Sequence, residues 1–185
     1  MKKHIIGVVL MANDDEIDGI RKYKIILAGD GAVGKTTLIN RFVTGKFAAD
    51  YKATIGVDIF SKRFKVRGKH INLQIWDIAG QSLFRDFRKK FYSQARGALL
   101  VFDLTMPSSL ESLTNWISDI KEVTGDIPLI LIGNKSDLME LRSITDGDIS
   151  NFLEQSNIVV HFLTSAMTGE NVENAFHELA AQILF

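Results

Sequence analysis

The sequence predicts an α/β domain: a mostly parallel six-stranded sheet with one antiparallel edge hairpin and helices on both faces. Three observations predict it. Short apolar runs alternate with segments of helical spacing, the pattern of strands joined by crossover helices. Two of the runs, Ala98–Phe102 and Pro128–Gly133, are apolar almost without interruption, as strands covered on both faces are. A glycine-containing loop, Gly29–Thr36, separates the apolar run Tyr23–Ala28 from the helix-like Thr37–Val43, and other polar turns follow later strands.

Composition narrows the functional classes. A chain of 185 residues suits one α/β domain, and 46% hydrophobic with 24% charged residues is ordinary for a globular protein. Lysine plus arginine equals aspartate plus glutamate at 22 each, so the basic surplus expected of a nucleic-acid binder is missing. No cysteine is present, which excludes disulfides, thiolate metal sites, prenylation and palmitoylation within this chain. Lys2 rules out N-myristoylation, and no apolar run approaches membrane-spanning length. A cytoplasmic protein is expected, with membrane contact at its periphery left open.

In chain order, residues 1–22 read as an N-terminal extension and 23–185 as the main domain. The β-branched run Ile5–Ala12 reads as an extra strand or a hydrophobic tether, and Asp14–Glu16 with Asp18-Gly19 as an acidic turn. Residues 45–58, small and polar with two glycines, form a mobile connection. Strands over 57–67 and 70–77 follow, joined at Gly68-Lys69. In the second, Ile71, Leu73 and Ile75 share one face, leaving His70 outward with no second metal ligand at a useful spacing.

Phe84 to Ala95 is a basic, aromatic segment. Ser108-x-x-Glu111 has the form of a capping box opening a helix through about Val123, with Leu110, Leu113, Ile117 and Ile120 inward. A helix near 146–155, a strand near 158–163 and a last helix from about Glu170 complete the chain.

Gly29-Asp30-Gly31-Ala32-Val33-Gly34-Lys35-Thr36 is a G-x-x-x-x-G-K-[ST] phosphate loop in its required setting, after a strand and before a helix. Its glycines let backbone N–H groups point inward, and the helix N-terminus adds positive potential. Lys35 would reach the outer phosphates, and Thr36 would ligate Mg²⁺. Asp77, Asn134–Asp137 and Ser165-Ala166 also lie just past strand ends, where ligands bind in such sheets.

Asn134-Lys135-x-Asp137 reads the base. Guanine presents two adjacent N–H donors that one carboxylate, Asp137, can accept together. Adenine would leave that carboxylate unpaired, a discrimination on the order of 10⁴. Asn134 can bridge loop segments or meet the base, and the Lys135 stem can cover the ring.

With these motifs assembled, the chain from about Tyr23 onward resembles a small GTPase of the Ras superfamily, closest to the Rab branch. The motif set includes Thr54, Asp77-x-x-Gly80-Gln81 and Thr164-Ser165-Ala166. Ala53–Asp58, Ile75-Trp76-Asp77 and Gly97–Asp103 carry the Rab-like wording.

The resemblance implies a P-loop G domain that binds guanine nucleotide through Gly31 to Thr37, with Thr54 ligating Mg²⁺ and sensing the γ-phosphate. It implies Asp77 holding Mg²⁺ through water, Gly80 contacting the γ-phosphate and Gln81 orienting the attacking water beside Lys35. Phe47 would pack on guanine, and the Ala166 N–H, next to Ser165, would meet its carbonyl oxygen. Slow intrinsic hydrolysis is implied, accelerated by a partner that supplies an arginine. A GTPase-activating protein, an exchange factor and effectors would act through residues 47–60 and 76–95.

Ile59 stands where the Rab pattern has phenylalanine, while Trp76 and Phe91 match it. Ile78 and Ser82 also depart from the pattern, which bears on partner identity more than on hydrolysis. A scaffold that holds nucleotide without cycling is the competing reading, and intact Thr54, Gly80 and Gln81 weigh against it. A P-loop ATPase or nucleotide kinase is disfavoured by Asn134–Asp137.

Overall fold

The computed structural model describes residues 16–17, 20–47, 54–80 and 85–185. Among the described residues the main path of the sheet has six strands in the order β3-β4-β2-β5-β6-β7: β2 Ile20–Ala28, β3 Val57–Val66, β4 Lys69–Ile78, β5 Gly97–Asp103, β6 Leu129–Asn134 and β7 His161–Thr164. All neighbours pair in parallel except β3 with β4, the expected edge hairpin.

A two-residue strand β1, Glu16–Ile17, pairs antiparallel with the start of β2. Residue 16, read from sequence as part of an acidic turn, is therefore in a strand. The run Ile5–Ala12 lies outside the described residues. The β3–β4 turn is Arg67-Gly68 rather than Gly68-Lys69, with both residues at positive φ (44° and 87°). Two left-handed residues give the turn a twist that matches a two-residue hairpin.

Among the described residues six α-helices accompany the sheet: α1 Lys35–Thr44, α2 Arg85–Arg88, α3 Pro107–Glu111, α4 Leu113–Thr124, α5 Asp146–Ser156 and α6 Val172–Leu184. The Ser108–Glu111 capping box does not form. Pro107 starts α3 at a position where its missing N–H costs nothing, and the Ser109 hydroxyl donates to Met106 O at 2.6 Å. The helix expected through Val123 is split at Ser112 into α3 and α4. A capping box does form at Thr145 and Asp148, opening α5.

Two apolar layers sandwich the sheet. On one face Ile25, Leu27, Leu73 and Ile75 pack against α1 and α6, where Phe42 and Phe176 stack with ring centroids 4.0 Å apart. On the other, Ile26, Leu100 and Phe102 meet Leu113, Trp116 and Ile120 of α4 and Ile149 of α5. Every residue of β5 is buried because both its faces are covered. Each large side chain so buried contributes about 1.5–3 kcal/mol.

Register then places the site. Leu27 pairs with Asp77, Asp103 with Asn134, and Asn134 with Thr164. These pairings align the carboxyl ends of the parallel strands along one edge.

Candidate functional site

The phosphate loop leaves β2 and enters α1 through two positions that only glycine satisfies. A Cβ on Gly29 (φ 141°) would lie 2.1 Å from Val101 O. One on Gly34 (φ 98°) would fall 2.3 Å from Asn134 Nδ2. No side chain caps the start of α1 and no acidic residue occupies its first turn, so its N–H groups and positive potential remain available to an anion. Val33 is buried beneath the loop, while Ala32, at φ 63°, is exposed above it. Thr37 continues the first turn.

Lys35 is buried, and its Nζ donates to Gly29 O and Asp30 O, both at 2.8 Å. Burial pulls its pKa down to about 8, opposed by the charges of Asp77 and Asp30. A cation held this way, over loop carbonyls and without a carboxylate partner of its own, can turn to a phosphate.

Three oxygen side chains meet beside it. Thr36 Oγ1 donates to Asp77 Oδ2 at 2.5 Å, and Thr54 Oγ1 lies 2.9 Å from Thr36 Oγ1 and 3.3 Å from the same carboxylate oxygen. Asp77 is fully buried, which raises its pKa; hydrogen bonding from Thr36 and the Lys35 charge oppose the shift. Its second oxygen, Oδ1, is buried with no hydrogen-bond partner. An orphaned carboxylate oxygen beside two hydroxyls suits a small hard cation, which takes oxygen ligands and relieves the unpaired charge.

After β4 the chain presses Gly80 onto the loop: a Cβ there would come within 2.2 Å of the Asp30 carbonyl carbon. Gln81 lies outside the described residues. Phe47, past α1, is exposed.

The segments expected to read the base lie at the ends of β6 and β7 and are tied to the loop by Asn134. Its Nδ2 donates to Val33 O at 2.8 Å, while its Oδ1 accepts from Thr164 Oγ1 (3.2 Å) and the Ala166 N–H (3.3 Å). Asp137, exposed at the rim, accepts from the buried Ser165 hydroxyl at 2.5 Å. Lys135 adopts positive φ (70°) and places Nζ 2.6 Å from Asp103 Oδ2. Asn134, Thr164 and Ala166 thus form one hydrogen-bonded unit with the phosphate loop, and Lys135 and the Asp137–Ser165 pair border it.

Several supports were not legible from sequence. Asp103 fixes Lys135, Glu170 accepts from Ser136 at 2.6 Å, and Arg41 of α1 donates to Thr168 O at 2.5 Å. Asp103 alone gave a signal, as a carboxylate ending a buried strand. Arg41 and Glu170 look in sequence like ordinary surface charges.

Fold and phosphate loop together define a P-loop nucleotide-binding domain. Comparison agrees: the Ras family model matches residues 24–185. The "Ras-related protein Rab-4A" of Mus musculus is 44% identical over 163 residues, covering 88% of this chain and 74% of that protein. The "Ras-related protein RABA1c" of Arabidopsis thaliana is 40% identical over 92% of this chain and 78% of its own length. The "Ras-related protein Rab11E" of Lotus japonicus is 41% identical over 92% and 77%. The chain belongs to the Ras family, in its Rab branch. It is a Rab-like small GTPase.

Proposed function

We propose that this chain is a Mg²⁺-dependent switch that binds GTP and GDP, hydrolyses GTP slowly alone, and is accelerated by a partner protein. The observation that carries this reading is the meeting of Thr36, Thr54 and Asp77 beside the phosphate loop. Those three residues would hold Mg²⁺, Asp77 through water. When bound, the ion neutralises charge on the phosphate oxygens.

The chain's own groups do the positioning. Backbone N–H groups from Gly31 to Thr37 receive the phosphates. Lys35 exchanges its two loop carbonyls for phosphate oxygens, which restores the charged form that burial disfavours. Gly80 brings its N–H toward the γ-phosphate, and Gln81 orients the attacking water. Asp137 accepts the two N–H donors of guanine, the Ala166 N–H meets its carbonyl oxygen, and Lys135 and Phe47 cover the ring. Thr54 and Gly80 come from the two segments that flank the loop, so loss of the γ-phosphate frees both and changes the outer surface.

That surface spans residues 47–60 and 76–95, where Ile55, Ile59 and Phe87 are exposed and Trp76 lies 6.3 Å from Phe91. Exposed apolar groups beside loops that respond to nucleotide suit an exchange factor, an activating protein and effectors. A direct test is the dissociation rate of labelled GDP with Mg²⁺ and after chelation. The switch reading expects release at least tenfold faster without the ion; equal rates would refute the metal assignment.

A further inference from the structure

We propose that Trp116, a buried residue of helix α4, is a positioning residue for GTP hydrolysis and acts through Asp30 of the phosphate loop. In that role it serves the hydrolysis that the switch reading assigns, and so depends on that reading.

Asp30 is a junction of three contacts. Its Oδ1 accepts from Trp116 Nε1 at 3.0 Å, between residues 86 positions apart in the chain. Its carbonyl oxygen accepts from Lys35 Nζ at 2.8 Å. Its peptide to Gly31 lies against Gly80, where a Cβ would fall 2.2 Å from the Asp30 carbonyl carbon and 2.4 Å from Gly31 N. Lys35 and Gly80 are the groups that would serve the outer phosphates, and both are set by the position of this one residue.

The two sides of the Trp116–Asp30 bond differ in freedom. Asp30 stands between Gly29 and Gly31, so its backbone has little local restraint. Helix α1 begins without a side-chain cap that would steady the loop from its far end. Trp116, by contrast, is 1% exposed in the apolar layer on the α4 side of the sheet, and the Arg88 guanidinium covers its ring at 3.4 Å. The indole offers a single donor from a ring with no room to swing, so the bond fixes Asp30 and not the reverse.

A buried indole N–H needs an acceptor in any fold. Here that acceptor belongs to the residue beneath Lys35 and Gly80, so one bond both satisfies the core and holds the outer-phosphate groups in place. Hydrolysis of this kind is positioning plus charge stabilisation, and a misplacement of about 1 Å costs on the order of a hundredfold. With the indole donor removed, the Asp30–Gly31 peptide is free to turn, and Lys35 and Gly80 lose their common seat. Base recognition does not run through Asp30, since Asn134 meets the loop at Val33 instead.

The test is single-turnover hydrolysis of GTP by the full chain, with Mg²⁺ and protein in excess, at a temperature where thermal unfolding shows every variant folded. Trp116→Phe and Asp30→Ala should each slow the bound-GTP step about tenfold, and the double variant should be no slower than about twofold beyond either. The Asp30 variants leave Trp116 beneath Arg88 untouched, so agreement among the three isolates the hydrogen bond. Asp30→Asn keeps an oxygen to accept the indole N–H and should stay within about threefold of the unaltered chain. Preference for GTP over inosine triphosphate, whose base lacks the exocyclic amine, should be the same throughout.

A role in stability alone would lower the unfolding temperature and leave the rate of the folded protein unchanged. Unaltered hydrolysis in folded Trp116→Phe would therefore overturn the proposal, as would Asp30→Asn as slow as Asp30→Ala. Loss of the GTP preference together with the rate would also overturn it, by placing the effect on the whole site. An unaltered chain that releases no phosphate from GTP would refute the switch reading itself, and this role with it.

Discussion

The indole Nε1 of Trp116 donates to Oδ1 of Asp30 across 3.0 Å, so helix α4 holds the phosphate loop by a side chain. The same ring carries the Arg88 guanidinium 3.4 Å from its centroid, and Arg88 pairs with Asp119, one turn further along α4, at 3.2 Å. Helix α2 and the phosphate loop are thus fastened to opposite parts of one tryptophan. Gly80, pressed on the Asp30 backbone, closes the circuit.

Trp116→Phe keeps a ring beneath Arg88 but removes the donor to Asp30. It is expected to cost about 1–3 kcal/mol, seen as a lower urea midpoint at unchanged slope. Asp30→Ala should cost a similar amount, and the double variant less than the sum, because both remove one bond. Full additivity would show that the two residues are not coupled.

Arg88 and Asp119 are both buried, so removing one partner strands a charge. Arg88→Met should destabilise the fold by about 3 kcal/mol, the lower end for a broken buried pair. The lower end applies because Lys89 also reaches Asp119, at 3.4 Å. A loss below about 1 kcal/mol in urea unfolding would show that the pair contributes little beyond its own desolvation.

Asp77→Asn preserves shape while removing the charge offered to a cation. Chelation should accelerate GDP release from the unaltered chain and hardly change it in the variant. Its release in Mg²⁺ should match the chelated rate of the unaltered protein within about threefold. A variant that still responds tenfold to Mg²⁺ would place the ion elsewhere.

Lys35 gives a pH dependence whose sign can be worked out. Its folded pKa, about 8 without nucleotide, lies below the ordinary 10.5, so between these values the folded chain binds fewer protons than the unfolded one. Its contribution to stability in the nucleotide-free state therefore rises with pH across that window. Phosphate binding needs the ammonium form, so nucleotide affinity should fall above about pH 8, approaching tenfold per unit, with proton uptake on binding. Calorimetry at pH 8.5 in buffers of different ionisation enthalpy measures that uptake. None would mean that Lys35 is fully charged before nucleotide arrives.

The strands and the chemical motifs were legible because their signals are local. Unbroken apolarity marks β5, alternation marks β4, and the phosphate loop must pair particular residue types with one backbone path. What stayed hidden depends on contacts between distant segments. Nothing in the sequence singles out Trp116, and only the fold brings its N–H to Asp30. Asp103 meets Lys135 for the same reason, since neighbouring parallel strands align residues far apart in the chain. The Ser108–Glu111 pattern misled because a stronger local device, Pro107 at the first helical position, moved the helix start. The Arg67-Gly68 turn was misplaced by one residue because arginine gives no sequence hint of positive φ.

The central claim is a Mg²⁺-dependent enzyme selective for GTP, and single-turnover phosphate release tests it most directly. The purified chain, mixed with Mg²⁺ and either GTP or ATP, should release phosphate slowly from GTP and not from ATP. Chelation or Gln81→Leu should suppress the GTP signal at least tenfold. Equal release from ATP, or release from GTP indifferent to both interventions, would contradict the account.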